Sequence, residues 1–338
     1  MKLGVYNAIL HDRPLPEALE VIADLGLTGI EINTGGFLPP VHIPNIDQIL
    51  ESDAARDEYL AIFEGTGVSM AGLNCNGNPL HPNRAIGDKH AEDIRRSIRL
   101  AHRLGQNRVV TMSGLPGGEP GATRANWIVN AWNSAALDVL DYQWEVAAAF
   151  WKETDQLARD LDVKVALELH PQNLVFNPAD VFKLLELTKA THIGVELDAS
   201  HLFWQQMDPV AVVRHLGPLV VQAAAKDVRV NTETAALYGV LDNRFRRLLP
   251  EEERTNLGGD EWANEWPKES AWDFVALGKG HNTAYWTEFL RALYEVDPEM
   301  LVNIEHEDVS LGRIEGLEVA ANVLKDADAA LTASLVQR

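Results

Sequence analysis

The feature that most constrains this chain is a rhythm. Short runs of β-branched and apolar residues recur along it, each followed by a stretch with helical periodicity. In order, the predicted strands are Leu3–Asn7, Gly29–Asn33, Ser69–Asn74, Arg108–Met112, Lys164–His170, Ile193–Asp198, Leu219–Lys226 and Leu301–Glu307. Strands that alternate with helices pair in parallel, and eight such units are enough to close on themselves as a (β/α)₈ TIM barrel of the α/β class. The intervening helices read most clearly at Pro16–Leu25, His90–Leu104, Leu137–Leu161, Pro178–Leu187 and Ile314–Leu324. The first has Pro near its start and Gly26 after its end, where each residue suits a helix boundary. The 338 residues fit one barrel domain with extended loops.

Loop lengths say which end of the barrel works. Helix-to-strand connections are short, as in LGLTG, GTGV, LGQN and DLDV. Strand-to-helix connections run long: GGFLPPVHIPN, NGNPLHPNRAIGDK and SGLPGGEPGATRANWIVNAWN follow strands two, three and four. The longest, an insertion at residues 228–272, follows strand seven. A barrel that spends its extra residues after the strands builds a site on its C-terminal face. The insertion carries Trp262, Trp266 and Trp272. They suit either a small hydrophobic cluster packed on the barrel or a lid with aromatic surface for a sugar.

Alternation then picks out chemistry. In Lys164–His170, Val165, Leu167 and Leu169 share one face, so Ala166, Glu168 and His170 point into the barrel. The same logic sends Glu196 and Asp198 inward on strand six, Asn303, Glu305 and Glu307 on strand eight, and Glu31 with Asn33 on strand two. Carboxylates gathered at one mouth repel unless something compensates them. A divalent cation does so economically, and the competing reading is ion pairing with Lys226, Arg229 and other bases.

Composition narrows the classes. A formal charge of −21 opposes a nucleic-acid surface, which needs clustered Lys and Arg. The single Cys75 excludes an intrachain disulfide framework and Cys-rich zinc sites. The N-terminus lacks a signal-peptide pattern, and no apolar run is long enough to span a membrane, so a cytoplasmic enzyme without a membrane partner is the expectation. The Gly-rich PGGEPG at 116–121 lacks the Gly-Lys-Ser/Thr of a phosphate loop.

Among the remaining polar residues, His170 is placed to act as a base or as a donor to substrate. His81, in NPLHPN, lies on a loop over the mouth as a candidate substrate contact. Asn74 and Asn76 are candidates for binding substrate hydroxyls, with turn formation as the alternative. Glu31, Arg229 and Trp262 are further candidate substrate contacts. His306 alternates outward with Ile304, where a hydrogen bond to a neighbouring element is expected.

ALELHP at 166–171, ELDASH at 196–201, AKD at 225–227 and NIEHED at 303–308 together resemble the xylose isomerase-like TIM-barrel superfamily. It contains sugar isomerases, epimerases, inosose dehydratases and keto-glycoside lyases. The resemblance runs along nearly the whole chain. It implies a metal site built by Glu168, Asp198, a strand-seven residue and Glu305, with the two glutamates also serving as the acid–base pair. It matches His201 to a histidine that helps bind substrate or metal-bound water, and Lys226 with Asp227 to a Lys-Asp pair, which makes His201 and Lys226 further candidate catalytic residues. One departure stands out: the family commonly places a histidine ligand on strand seven, where this chain has Ala224. Gln222, two residues deeper on the same face, could offer an amide oxygen instead. Such an all-oxygen site favours Mn²⁺ or Mg²⁺ over Zn²⁺.

The resulting expectation is a metal-dependent isomerase or epimerase of a small sugar, working through an enediolate. The alternative is a lyase that expels a β substituent from a keto-sugar or 3-keto-glycoside, and a non-catalytic ligand-binding barrel is a further rival. By analogy with such barrels, a homo-oligomer or a small partner subunit is compatible with the chain.

Overall fold

The computed structural model describes residues 1–336. Eight parallel strands close into a barrel: β1 (Lys2–Tyr6), β2 (Gly29–Asn33), β3 (Ser69–Asn74), β4 (Arg108–Met112), β5 (Lys164–Glu168), β6 (Ile193–Asp198), β7 (Val220–Ala225) and, last in sequence, β12 (Leu301–Ile304). The helices that follow them cover the outside, as the alternating pattern predicts. Within one stretch of the wall, β1 pairs with β2 in the register Tyr6↔Glu31 and with β12 in the register Gly4↔Asn303. β12 in turn meets β7 with Asn303 opposite Ala224. In the other stretch, β5 lies between β4 and β6, with Glu168 opposite Met112 on one side and Glu196 on the other.

Several helices begin where asparagine or aspartate caps them. Asn83, Asn133, Asn177, Asp208 and Asn282 each accept a backbone N–H from the first turn of the helix that follows. The Asn83 cap explains why the fourth helix starts at Arg84 and not at the predicted His90. The final helix runs on to Val336, past the predicted Leu324, because Ala327 and Leu331 continue its buried stripe.

Of the strand ends that differ from expectation, three bear on the site. β5 stops at Glu168 and β12 at Ile304, so His170 and Glu305–Glu307 stand on the loops just past the ladder. The seventh strand ends at Ala225, and the chain re-forms as β8 (Asp227–Val230). β8 opens the insertion, which contains β9 (Asn256–Gly258) and β10 (Glu261–Trp262) and returns through β11 (Trp272–Val275). β8 and β11 are antiparallel, with Asp227 opposite Val275 and Val230 opposite Trp272. The insertion therefore leaves and re-enters the barrel on a two-stranded stem. No helix among the described residues is long and apolar enough to cross a membrane.

Candidate active site and metal centre

Glu168 ends β5 and is almost fully buried. The side-chain amide of Asn76, on the loop after β3, donates to its Oε2 at 2.5 Å. Asn76 is itself aimed by a turn in which its backbone N–H donates to Asn74 Oδ1 at 3.1 Å. Asn74 thus makes the turn, and Asn76 offers its amide to the carboxylate. His170 sits just beyond, with Nδ1 2.6 Å from the carbonyl oxygen of Pro171. His81 is folded into its own loop, where Nδ1 accepts the N–H of Asn83 at 3.0 Å. Its accepting Nδ1 puts the ring proton on Nε2.

Asp198 ends β6 and is buried. Its Oδ1 accepts the N–H of Ser200 at 2.8 Å, while Oδ2 lies 3.2 Å from His201 Nε2 and 3.9 Å from Lys226 Nζ. Lys226, in the break between β7 and β8, is 3% exposed. Its ammonium reaches Glu305 Oε1 at 3.0 Å and Glu307 Oε2 at 3.1 Å, and it stands 4.2 Å above the ring of Phe274. The Lys226 ammonium beside Glu307 holds its carboxyl below the usual range. Ion pairing by Lys226 therefore exists alongside the acidic cluster. Arg229 does not share in it: it pairs with Asp273, its cross-strand neighbour on the stem, at 3.3 Å.

One layer deeper, Glu31 Oε2 accepts from Gln222 Nε2 and from Asn303 Nδ2, each at 2.7 Å. Inward residues of β2, β7 and β12 thus meet as the pleat requires. Gln222 commits its amide nitrogen to Glu31, and its Oε1 has no hydrogen-bond partner among the described residues.

Each of Glu168, Asp198 and Glu305 offers a carboxylate oxygen, and these three oxygens lie within 4.8 Å of one another. Glu168, His170 and His201 form a second such group by the same measure. This is a possible metal centre.

Asp227 has a different task from its neighbour Lys226. Fully buried, it accepts the N–H groups of Gly278, Gly280 and His281 on Oδ2, at 2.9–3.0 Å. Its Oδ1 takes Val228 N–H at 2.9 Å and lies 2.7 Å from His281 Nδ1. A Cβ on residue 280 would stand 2.1 Å from the Val228 carbonyl oxygen, so Gly280 is what lets this loop come so near. His281 then stacks on Phe203, with centroids 3.7 Å apart.

Within the insertion, Trp272 stacks on Trp204 at 5.1 Å and meets Trp266 edge-on at 4.7 Å. Phe274 joins them, so this part is a packed aromatic cluster. Trp262 lies outside it, with the Arg254 guanidinium 3.9 Å above its ring. Phe274 is the residue that sequence reasoning missed, since it touches Lys226 and stands 5.7 Å from His201. Its signal was the alternation of Trp272 and Phe274 on the return strand. His306 corrects an expectation: both ring nitrogens are buried without a hydrogen-bond partner among the described residues, because the ring packs on Gly316, where a Cβ would come within 1.9 Å of it. Burial pushes its pKa down.

The sequence pattern describing xylose isomerase-like TIM barrels matches residues 19–327. The protein YfiH of Bacillus subtilis is 33% identical over 329 residues, covering 96% of this chain and 98% of that protein. Among solved structures, the probable 3-DHS dehydratase AsbF of Bacillus anthracis superposes with a TM-score of 0.64 at 16% identity, covering 96% of this chain and 99% of that one. IOLI protein, solved with a zinc atom, gives 0.59 at 17% identity, with 99% of each chain covered. The 3-keto-D-glucoside 4-epimerase YcjR of E. coli gives 0.60 at 12% identity, covering 97% and 99%.

Proposed function

Because the chain belongs to the xylose isomerase-like TIM barrel family, we propose that it is a divalent-metal-dependent sugar isomerase or epimerase. It would move a proton on the carbon next to a carbonyl. The observation that carries this reading is the gathering of Glu168, Asp198 and Glu305 oxygens within 4.8 Å. Mg²⁺ and Mn²⁺ take oxygen donors at about 2.1 Å, so opposing ligand oxygens stand about 4 Å apart, close to that spread. The donor set therefore fits a hard cation. When bound, it would polarise a substrate carbonyl and offset the charge of an enediolate.

The rest is the work of side chains. Glu168 and Glu305 take and return the proton at the substrate carbon, each already oriented by a donor: Asn76 for Glu168 and Lys226 for Glu305. His201, against Asp198, and His170, beside Glu168, supply hydrogen bonds to substrate hydroxyls. Glu31, held by Gln222 and Asn303, fixes the floor beneath them. Three carboxylates suffice as protein ligands in this reading, and Gln222 supports them from the layer below. Asn74 ends β3, His81 lies on the loop that follows it, and Trp262 belongs to the 228–272 insertion, which serves as a lid.

Reprotonation of the same carbon gives an epimer, and reprotonation of its neighbour gives an isomer. Expulsion of a β substituent is the lyase alternative. The test is incubation with Mn²⁺ and keto-sugars or 3-keto-glycosides in D₂O, followed by NMR. Deuterium at the carbon beside the carbonyl is the expected result, and released water or aglycone selects the lyase. Turnover and bound metal that both survive Glu168→Gln and Glu305→Gln would sink the site assignment.

A further inference from the structure

Three carboxylates surround the Lys226 ammonium at unequal distances. Glu305 Oε1 and Glu307 Oε2 lie 3.0 and 3.1 Å from Nζ, and Asp198 Oδ2 lies at 3.9 Å, beyond hydrogen-bond reach. The side chain is 3% exposed, so water does little to divide the ammonium among them. A fourth group faces Nζ, and it is uncharged: the Phe274 ring, with its centroid 4.2 Å away. A cation that close to an aromatic face is held by the ring quadrupole, most strongly where water is excluded.

Phe274 is not free to follow the lysine. It belongs to β11, where it pairs with Val228 of β8. Its ring meets Trp272 at 5.3 Å and Trp266 at 6.1 Å, both within the insertion. Trp272 in turn stacks on Trp204, the residue that ends the short helix carrying His201. Phe274 also stands perpendicular to the His201 ring, with centroids 5.7 Å apart. The ring is therefore fixed by the insertion and reaches two polar groups of the candidate site at once.

Packing alone accounts for an aromatic residue among tryptophans, but it does not call for an ammonium over the ring face. An aliphatic side chain of similar size would fill the space and leave Lys226 to the carboxylates. We propose that Phe274 is a positioning residue. Its ring face holds the Lys226 ammonium against Glu305 and Glu307, so the return strand of the insertion sets where the lysine of the β7–β8 break points. The consequence for chemistry rests on the acid–base role proposed for Glu305, whose donor is Lys226. The insertion then does more than cover the site, because it orients the donor of one of the two glutamates.

A double-mutant cycle in urea unfolding of the metal-free full chain tests this, with Phe274→Leu, Lys226→Met and the two combined. The combined variant should unfold with an equilibrium constant about 5–30-fold smaller than the product of the separate effects, the strength of a desolvated cation–π contact. Repeated from Phe274→Tyr, which keeps a ring, the cycle should give the same coupling. Isotope labelling of lysine gives a readout that needs no Lys226 variant. By NMR, one ε-methylene resonance should lie upfield through ring current, move back in Phe274→Leu and stay upfield in Phe274→Tyr. In the deuterium-incorporation assay, Phe274→Leu should lower kcat about 5–30-fold at unchanged KM, and Phe274→Tyr should recover it. Additive effects in the cycle, absence of an upfield ε-methylene, or full kcat in Phe274→Leu would each overturn the assignment. A wild type without turnover would count instead against the proposed reaction, and the metal-free cycle and the spectrum would still decide for or against Phe274.

Discussion

Lys226 and Glu305 meet at 3.0 Å, Nζ to Oε1, in a place where Lys226 also answers Glu307 and Asp198. One ammonium and a cation would share the same acidic cluster. Replacing Lys226 by Met keeps the volume and removes the charge. Metal-free protein should then lose about 3 kcal/mol, the usual cost of breaking a buried pair. Mn²⁺ at a hundredfold excess over the variant's dissociation constant should stabilise the variant by about 2.7 kcal/mol, and the same Mn²⁺ concentration should stabilise the wild type less, because Lys226 competes for the carboxylates there. Thermal unfolding with and without Mn²⁺ measures both, and an equal Mn²⁺ response in the two proteins contradicts the shared cluster.

Asp198 separates ligand from acid–base roles. Asp198→Asn should lower bound metal in elemental analysis and, with it, turnover. Glu305→Gln at saturating metal should still lose about 10²–10⁴-fold in kcat, the range for a group that moves a proton. A Glu305→Gln variant with full kcat once metal is restored would remove Glu305 from proton transfer.

Asp227 accepts backbone N–H groups from a distant loop and needs no substrate to explain its burial. Asp227→Ala would leave those buried donors unpaired at about 1–3 kcal/mol each. The urea midpoint should fall steeply in consequence. Activity lost without any loss of stability would point instead to a direct chemical role.

His90 sets a pH limit. It is buried, accepts the N–H of Asn78 on Nδ1 at 3.0 Å, and its pKa is lowered from 6.5 to about 4 by burial, with Lys89 adding to the effect. The unfolded chain takes up this proton near pH 6.5 and the folded one only near pH 4. Stability should therefore decline as pH falls through that window, by up to about 3 kcal/mol at ~1.4 kcal/mol per unit. His90→Gln should flatten the decline in denaturant titrations at pH 7, 5.5 and 4.5.

Cys75 is buried, and burial pushes its thiol up to about 12. A thiol that stays protonated is a poor nucleophile. Native protein should not react with a thiol-selective reagent within minutes at pH 8, and urea-unfolded protein should react with one equivalent.

How much of this was legible beforehand follows from the range of each interaction. The alternation of eight short strands with helical stretches is local and sufficed to give the barrel, and the period-two pattern through Glu168, Asp198 and Asn303 marked the side chains expected to face inward. The strand ends were less readable, because a ladder stops where its partner stops, and Val165–Leu169 looks uniform from within. Asp227 could not be understood from its neighbours, since the N–H groups it accepts come from Gly278, Gly280 and His281. Arg229 seemed available to the carboxylates until its cross-strand partner Asp273 was known. Phe274, too, became part of the site only through the return of a strand that pairs with β8.

The stem of the insertion has a consequence for how this barrel can vary. Because Asp227–Val230 and Trp272–Val275 lie side by side, the two ends of the excursion are neighbours whatever lies between them. The intervening segment can be lengthened, shortened or exchanged without altering the distance the chain must bridge. The stem is thus a socket, and what is plugged into it can be replaced while Lys226 and Asp227 stay where they are.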